Sequence, residues 1–453
     1  MKLRPGKLRF LAMVLIIASI AYLNRYWWND YQPEPPYQFV QDVNYYYAYL
    51  PGLFIHKDLY FHHIDNPYMW LLQGEGDKRL PKFTYGMSFM YMPFFLIGHA
   101  FAIMLDYDVT GYTKPYSIAV RMGSLFYFLL GIFFLMKLLD RYFRKYVVFL
   151  VLISLTWASN LLYYVLGNSD TPHLYLFALF SISMFVSDEA FNRDKVKLLP
   201  LLAALSGLIV LIRNSELLFI PILWFWGVNR FSAIRTRLRF LFSRPLNLIL
   251  YALIFALPMI IQMIYWKGAT GSYVFDFYQG QKFFFNDPKI LDFLFSYRKG
   301  MFVYCPLMLF AFAGMFMLRR YDGFLGAIIF PWTAVVVYVL SSWWIWWYGG
   351  GLGMRAMVQY YALLSFPLAA FITWMLRYRI LKMAGFLSLI FLVYFNSLLM
   401  VQQKSNMIHY DSMTKESFWF MFMKESYSPE EWAVHESLLQ HPDVEKAMKG
   451  EDR

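Results

Sequence analysis

LNLILYALIFALPMIIQMIY, Leu246–Tyr265, runs for 20 residues without a charged side chain. A helix of that length rises about 30 Å, which matches the hydrocarbon core of a bilayer. Just before it stand Arg230, Arg235, Arg237, Arg239 and Arg244, with no acidic residue among them. An uncharged run behind a basic flank reads as a span leaving the cytoplasm. Working outward from it, about ten further stretches read the same way. They lie near 10–23, 119–139, 147–166, 172–187, 198–212, 216–229, 301–318, 323–341, 358–376 and 382–400. The fold class expected is therefore all-α, a polytopic helical membrane protein with about eleven transmembrane helices. Composition agrees: of 453 residues 59% are hydrophobic, 21% aromatic and 15% charged, with mean hydropathy +0.43. A soluble domain is about 45–50% apolar and about 25% charged. Water-soluble enzymes, disordered chains and collagen-like or disulfide scaffolds are poor fits. The single cysteine, Cys305, makes no intrachain disulfide or multi-Cys metal site and reads as a small buried apolar residue.

The net charge of +12 comes from 41 Lys and Arg against 29 Asp and Glu. In a soluble protein it would suggest nucleic acid; here it reads as basic cytoplasmic loops, and no nucleic-acid partner is expected. With the N-terminus inside, Lys2, Arg4, Lys7 and Arg9 share a side with Arg141, Arg144 and Lys145, with Arg193, Lys195 and Lys197, and with the Arg230–Arg244 cluster. Arg319 and Arg320, and then Arg377, Arg379 and Lys382, fall there too. Ser19-Ile20-Ala21 is a passable signal-peptide cleavage site, but the polytopic remainder favours a retained anchor. Met87–Leu105 is equally apolar. If it spanned, every later basic loop would flip, so it is expected as one or two helices lying in the outer interface. Residues 1–400 then form one membrane domain with an outer loop at 25–118. Residues 401–453 form an outer helical tail, in which Ser428-Pro429-Glu430-Glu431 spells a capping box.

The long outer loop begins NRYWWNDYQPEPPYQFVQDVNYYYAYLPGLFIHKDLYF at Asn24. Asp42 heads a helical stretch containing Tyr45, Tyr46, Tyr47 and Tyr49. Partial desolvation among aromatic rings makes a carboxylate a stronger base. The plainer reading is an N-cap aspartate beside an interfacial tyrosine belt. LPKFTYGMSFMYMPFFLIGHAFA and YTKPYSIAVRMGSLFYFLLG follow, the latter bringing Arg121 to the head of a span.

This order resembles the GT-C superfamily of polytopic glycosyltransferases, in the branch of the protein O-mannosyltransferases and the aminoarabinose transferase of lipid A. The resemblance covers about residues 8–230. A later segment, SSWWIWWYGGGLGMRAMVQYYALLSFPLA, is similar to the aromatic-Gly-Gly-x-x-G-x-R segment of many bacterial members. The resemblance implies that Asp42 is the catalytic base, and that Lys82 meets the donor phosphate where a snorkelling interfacial lysine is the plainer reading. It places Asp170 as a second acid, orienting the acceptor or Lys82, where a helix cap is the alternative. The family often has adjacent acids where this chain has Asp42-Val43, which argues against a metal clamped by neighbouring carboxylates. A divalent metal shared by Asp42 and Asp170 stays open; no other cofactor is expected.

His173 lies close enough in sequence to bond a sugar or phosphate oxygen, or is a structural histidine. Arg213-Asn214-Ser215-Glu216 interrupts an apolar run. It reads as a tight outer turn with an offsetting ion pair, because charge inside a bilayer costs about 2.5–3.5 kcal/mol. Arg213, Arg298 and Arg355 are phosphate candidates, Arg355 behind the Gly349–Gly353 run with its planar fork. Trp343, Trp344, Trp346 and Trp347 either stack on sugar faces or anchor at the interface. No nucleotide cradle is present. The expected activity is inverting transfer of a sugar from a polyprenyl-phosphate donor to a glycan, lipid or protein acceptor on the periplasmic face of a bacterial inner membrane. The alternatives are a lipid-linked sugar transporter or flippase, a noncatalytic envelope scaffold, and a ligase or polymerase using a lipid diphosphate.

Overall fold

A computed structural model describes residues 5–29, 42–62, 71–228, 231–278 and 280–451. Parts of the first loop (30–41 and 63–70), together with Lys2, Arg4 and Arg230, lie outside these residues. The described chain is mostly helical, with one two-residue antiparallel pair, Leu72–Gln73 with Arg79–Leu80.

Among the described residues, five helices are long and apolar enough to cross a membrane: Gly86–Met104, Lys114–Leu139, Pro172–Phe191, Pro245–Thr270 and Arg379–Lys404. Shorter apolar helices include Lys145–Trp157, Leu307–Leu318 and Tyr361–Met375. The Pro245–Thr270 helix shows why these faces need lipid. Leu246 is 81% exposed, Leu253 57% and Ile264 61%, a continuous apolar face that water would not tolerate.

Two expected stretches differ in detail. Residues 147–166 are two helices, Lys145–Trp157 and Leu161–Leu166. Between them Ser159 accepts from the Leu161 N–H and Asn160 sends its amide to the Leu352 carbonyl, so polar side chains compete with the helix ladder. Residues 216–229 hold a 3₁₀ segment, Asn214–Phe219, and a short helix, Ile220–Trp224, rather than one long helix. Pro221 near the start and Gly227 with φ +77° at the end bound what can be helical there. Met87–Leu105, expected as one or two helices, falls in one continuous helix, Gly86–Met104, that runs through Pro93 and is long enough to cross a bilayer.

The chain divides into two compact units. One comprises 1–25, 132–168 and 280–453; the other comprises 26–131 and 169–279. In the second unit the Leu199–Ile212 helix packs along Pro245–Thr270, Pro172–Phe191 and Gly86–Met104. A Cβ on Gly207 would lie 2.3 Å from the Phe255 carbonyl oxygen, so glycine sets how closely the first pair approach. In the first unit the Tyr361–Met375 helix packs on Leu307–Leu318 and Lys145–Trp157, and Gly314 faces the Pro367 carbonyl in the same way. The tail capping box is formed: Ser428 Oγ accepts from the Glu431 N–H at 3.2 Å and Glu431 accepts from the Ser428 N–H at 2.9 Å.

Candidate functional site

In the unit of 26–131 and 169–279, Asp42 is the first residue of a short helix, Asp42–Tyr47. The chain at 82–85 is fastened to that neighbourhood. Phe83 stacks on Tyr46 at 4.5 Å and meets Tyr45 edge-on at 5.7 Å. The Tyr49 hydroxyl donates to the Phe83 carbonyl at 2.8 Å. Lys82 is half-buried with its ammonium 5.6 Å from the Phe83 ring centre. Thus one aromatic residue holds the segment bearing Lys82 against the helix headed by Asp42. Burial pushes the Tyr45 hydroxyl pKa up, and the negative charge of Asp42 adds to that, so the carboxylate and the phenol share one environment.

The same segment reaches Arg213. Thr84 donates its hydroxyl to the Leu211 carbonyl, and the Tyr85 N–H is taken by the Gln262 side chain at 3.0 Å. Leu211 is in the last turn of the Leu199–Ile212 helix; Arg213 follows in extended backbone. Its guanidinium lies 3.9 Å from the fully buried Glu216 carboxylate, the pairing expected from sequence.

Asp170 is buried just before the Pro172–Phe191 helix, and the Tyr91 hydroxyl donates to its carbonyl. Burial pushes the carboxyl up and the Arg121 charge pulls it partly back. Tyr91 also packs edge-on against Tyr175 at 5.3 Å and lies 6.4 Å from Tyr47. A tyrosine cluster therefore links the helix of Asp42 to the segment of Asp170. His173 is buried in the first turn of its helix. Asp42 and Asp170 belong to no cluster of three or more metal-ligating side chains among the described residues.

Arg298 and Arg355 belong to the other unit. The Arg298 guanidinium sits 4.7 Å over the buried Trp347 ring. Next to it Lys299 is fully buried and donates to the Gly351 carbonyl at 2.6 Å. Burial first, then the Arg355 charge, with Asp411 opposing, brings its ammonium pKa down to about 7. Gly351 has φ +113°, and a Cβ there would sit 2.8 Å from the Tyr164 hydroxyl oxygen. Asn160 and Tyr164 both donate to the Leu352 carbonyl, at 2.8 and 3.2 Å, fixing the glycine run ahead of Arg355. Trp344, Trp346 and Trp347 are buried, which removes the interfacial-anchor reading for these three. Their indole N–H groups find no acceptor among the described residues.

Within one unit the 82–85 segment thus touches both the helix headed by Asp42 and the helix end before Arg213, and tyrosines tie Asp170 to the same helix; Arg298 and Arg355 belong to the other unit. Sequence reasoning did not select Lys299 or Arg121 as site residues. Arg121 was visible as a charge opening an apolar run; Lys299 had no signal beyond its place beside Arg298, since burial is a tertiary property. No family model, curated protein or solved structure matches the chain.

Proposed function

We propose that the chain is a membrane glycosyltransferase of GT-C type, which moves a sugar from a polyprenyl-phosphate donor to a hydroxyl acceptor on the periplasmic face of a bacterial inner membrane. The observation that carries this reading is the packing of the Lys82-Phe83-Thr84 segment between the helix headed by Asp42 and the helix end that presents Arg213. One acid and two cations in an aromatic, largely apolar setting suit a reaction that takes a proton at one point and releases a phosphate at another.

Asp42 removes the acceptor hydroxyl proton. The acceptor oxygen attacks the anomeric carbon from the face opposite the phosphate, and the bond from that carbon to the phosphate oxygen breaks. The electron pair leaves with the polyprenyl phosphate, and configuration inverts. Lys82 and Arg213 neutralise the departing charge where water is scarce, often the largest catalytic effect. Asp170, held by Arg121 and Tyr91, positions the acceptor side. In the other unit, Arg298 and Arg355 offer phosphate contacts. An unpaired buried donor costs about 1–3 kcal/mol, and a hydroxyl-rich ligand would relieve the three tryptophan N–H groups.

The test is transfer of radiolabelled sugar from polyprenyl phosphate by purified protein in liposomes. Asp42→Asn is expected to lower turnover by about 10²–10⁴-fold with the donor still bound, the usual contribution of a general base. Turnover equal to wild type sinks the assignment. Mass spectrometry of co-purified lipid separates a monophosphate donor from a diphosphate one.

A further inference from the structure

Ahead of the Pro245–Thr270 helix lies a shorter one, Phe231–Phe242, which the proposed reaction does not use. At 3.6 residues per turn, Ile234, Leu238, Leu241 and Phe242 fall on one stripe. Ser232, Arg235, Thr236 and Arg239 fall on the opposite stripe, and all four are exposed. Arg237 lies beside the apolar stripe and turns inward. Its guanidinium donates to the Trp224 carbonyl at 2.9 Å and to the Trp226 carbonyl at 3.0 Å, and sits 3.5 Å from the Phe191 ring centre. One arginine therefore clamps the helix to the end of the Pro172–Phe191 helix and to the 224–226 turn, all within one unit.

The clamp leaves one edge of the apolar stripe uncovered. Leu238 is 37% exposed and Phe242 65%. Only Ser243 and Arg244 separate Phe242 from a helix apolar enough to cross a membrane, whose first turns expose Leu246, Ile249 and Leu250. Exposed apolar side chains thus continue in sequence from the shorter helix into the candidate span. The charges around that edge are of one sign. No acid stands between Glu216 and Asp276. Arg235, Arg239 and Arg244 are exposed and meet no carboxylate among the described residues.

We propose that the Phe231–Phe242 helix lies in the bilayer surface and that Arg235, Arg239 and Arg244 bind the phosphates of anionic phospholipids. An amphipathic helix of this kind settles with its apolar side at the boundary of headgroups and acyl chains. Leu238 and Phe242 then enter the acyl layer beside the start of the span. Arg235 and Arg239, on the neighbouring stripe, stand at headgroup level, where a guanidinium fork matches two phosphate oxygens. A lipid surface fits better than a soluble acidic partner, because the helix ends two residues before a bilayer-facing segment and carries bare apolar side chains at that end. Arg237, spent on two backbone carbonyls, holds the helix in place rather than contacting lipid.

The experiment labels full-length Leu238→Cys with bimane in phosphatidylcholine liposomes; native Cys305 is buried, and unsubstituted protein reports its background. Phosphatidylglycerol or phosphatidylcholine with brominated tails is added at equal mole fraction. Both lipids are expected to quench, the anionic one about two-fold or more strongly, since basic residues gather anionic headgroups. The preference is expected to fall towards one at about 1 M salt, where charges are screened beyond about 3 Å. It is expected to vanish when Arg235→Gln, Arg239→Gln and Arg244→Gln are combined, with quenching by phosphatidylcholine retained. Absence of quenching by either lipid overturns the proposal and means that something other than bilayer covers this edge. Equal quenching by the two lipids before the arginines are changed also overturns it, as does a preference that survives their replacement. If the triple variant fails to reconstitute, the salt dependence decides, and a preference unchanged by salt overturns the proposal. Quenching is read without any transferase assay, so its outcome is independent of the proposed activity.

Discussion

Lys299 shows how a single residue can hide in a sequence. It lies beside Arg298 in a loop and looks like one more surface cation. Folding buries it completely and aims its ammonium at the Gly351 carbonyl. Its pKa falls from 10.5 to about 7, first through burial. The sign of the pH effect follows. Between about pH 7 and 10.5 the unfolded chain binds a proton that the folded chain has released, so stability rises with pH across that window. The slope is at most about 1.4 kcal/mol per pH unit. Below pH 7 both states are protonated, and the full cost of the buried charge is present. Thermal melts at pH 7 and pH 9 are expected to rise in wild type and to lose most of that difference in Lys299→Met; an unchanged pH difference in the variant contradicts this. Asp42 is the opposite case. Its place at the head of a tyrosine-rich helix was legible because helix starts and aromatic clusters are local features. That Phe83 holds Lys82 against the same helix was not, because the contact joins residues some forty positions apart.

Among the elements, the tail helix Pro429–Ser437 formed where Ser428 and Glu431 predicted it, since a capping box needs only neighbours in sequence. Ser428→Ala is expected to cost about 1 kcal/mol and to appear as local loss of amide protection in hydrogen exchange. Helix lengths were harder to read. Leu161–Leu166 separates from Lys145–Trp157 because Asn160 finds the Leu352 carbonyl almost two hundred residues later and Tyr361 donates to the Asn160 side-chain oxygen at 2.7 Å. Apolar composition alone gives no hint of that break. Close helix pairs follow the same rule: Gly207 and Gly314 look like ordinary glycines in apolar runs, yet each lies against a carbonyl of a neighbouring helix. Gly207→Ala and Gly314→Ala force those helices apart and are expected to destabilise by about 1–3 kcal/mol, measured as lower unfolding midpoints in detergent. A midpoint within error of wild type for both would show that the pairs can spread without loss.

At the scale of the whole molecule, the distribution of Lys and Arg makes a definite prediction about sides. Cysteines introduced at exposed Arg144 and exposed Glu436 are expected to respond oppositely to a membrane-impermeant maleimide added to intact cells. Glu436→Cys labels and Arg144→Cys does not, and Cys305 stays silent because it is buried. Labelling of Arg144→Cys with Glu436→Cys silent would mean that Gly86–Met104, a single helix long enough to span, crosses the bilayer and reverses the later loops. By itself the sequence determined that the chain is helical and rich in helices able to enter a membrane, where the tail helix starts, and which acids and cations stand out from an apolar background. These depend on composition, periodicity and near neighbours. Only the tertiary structure decided which of those residues share a site and that Lys299 and Trp347 are buried. Each of these joins or encloses residues far apart in the chain, and burial and long-range contact are created by packing rather than by local pattern.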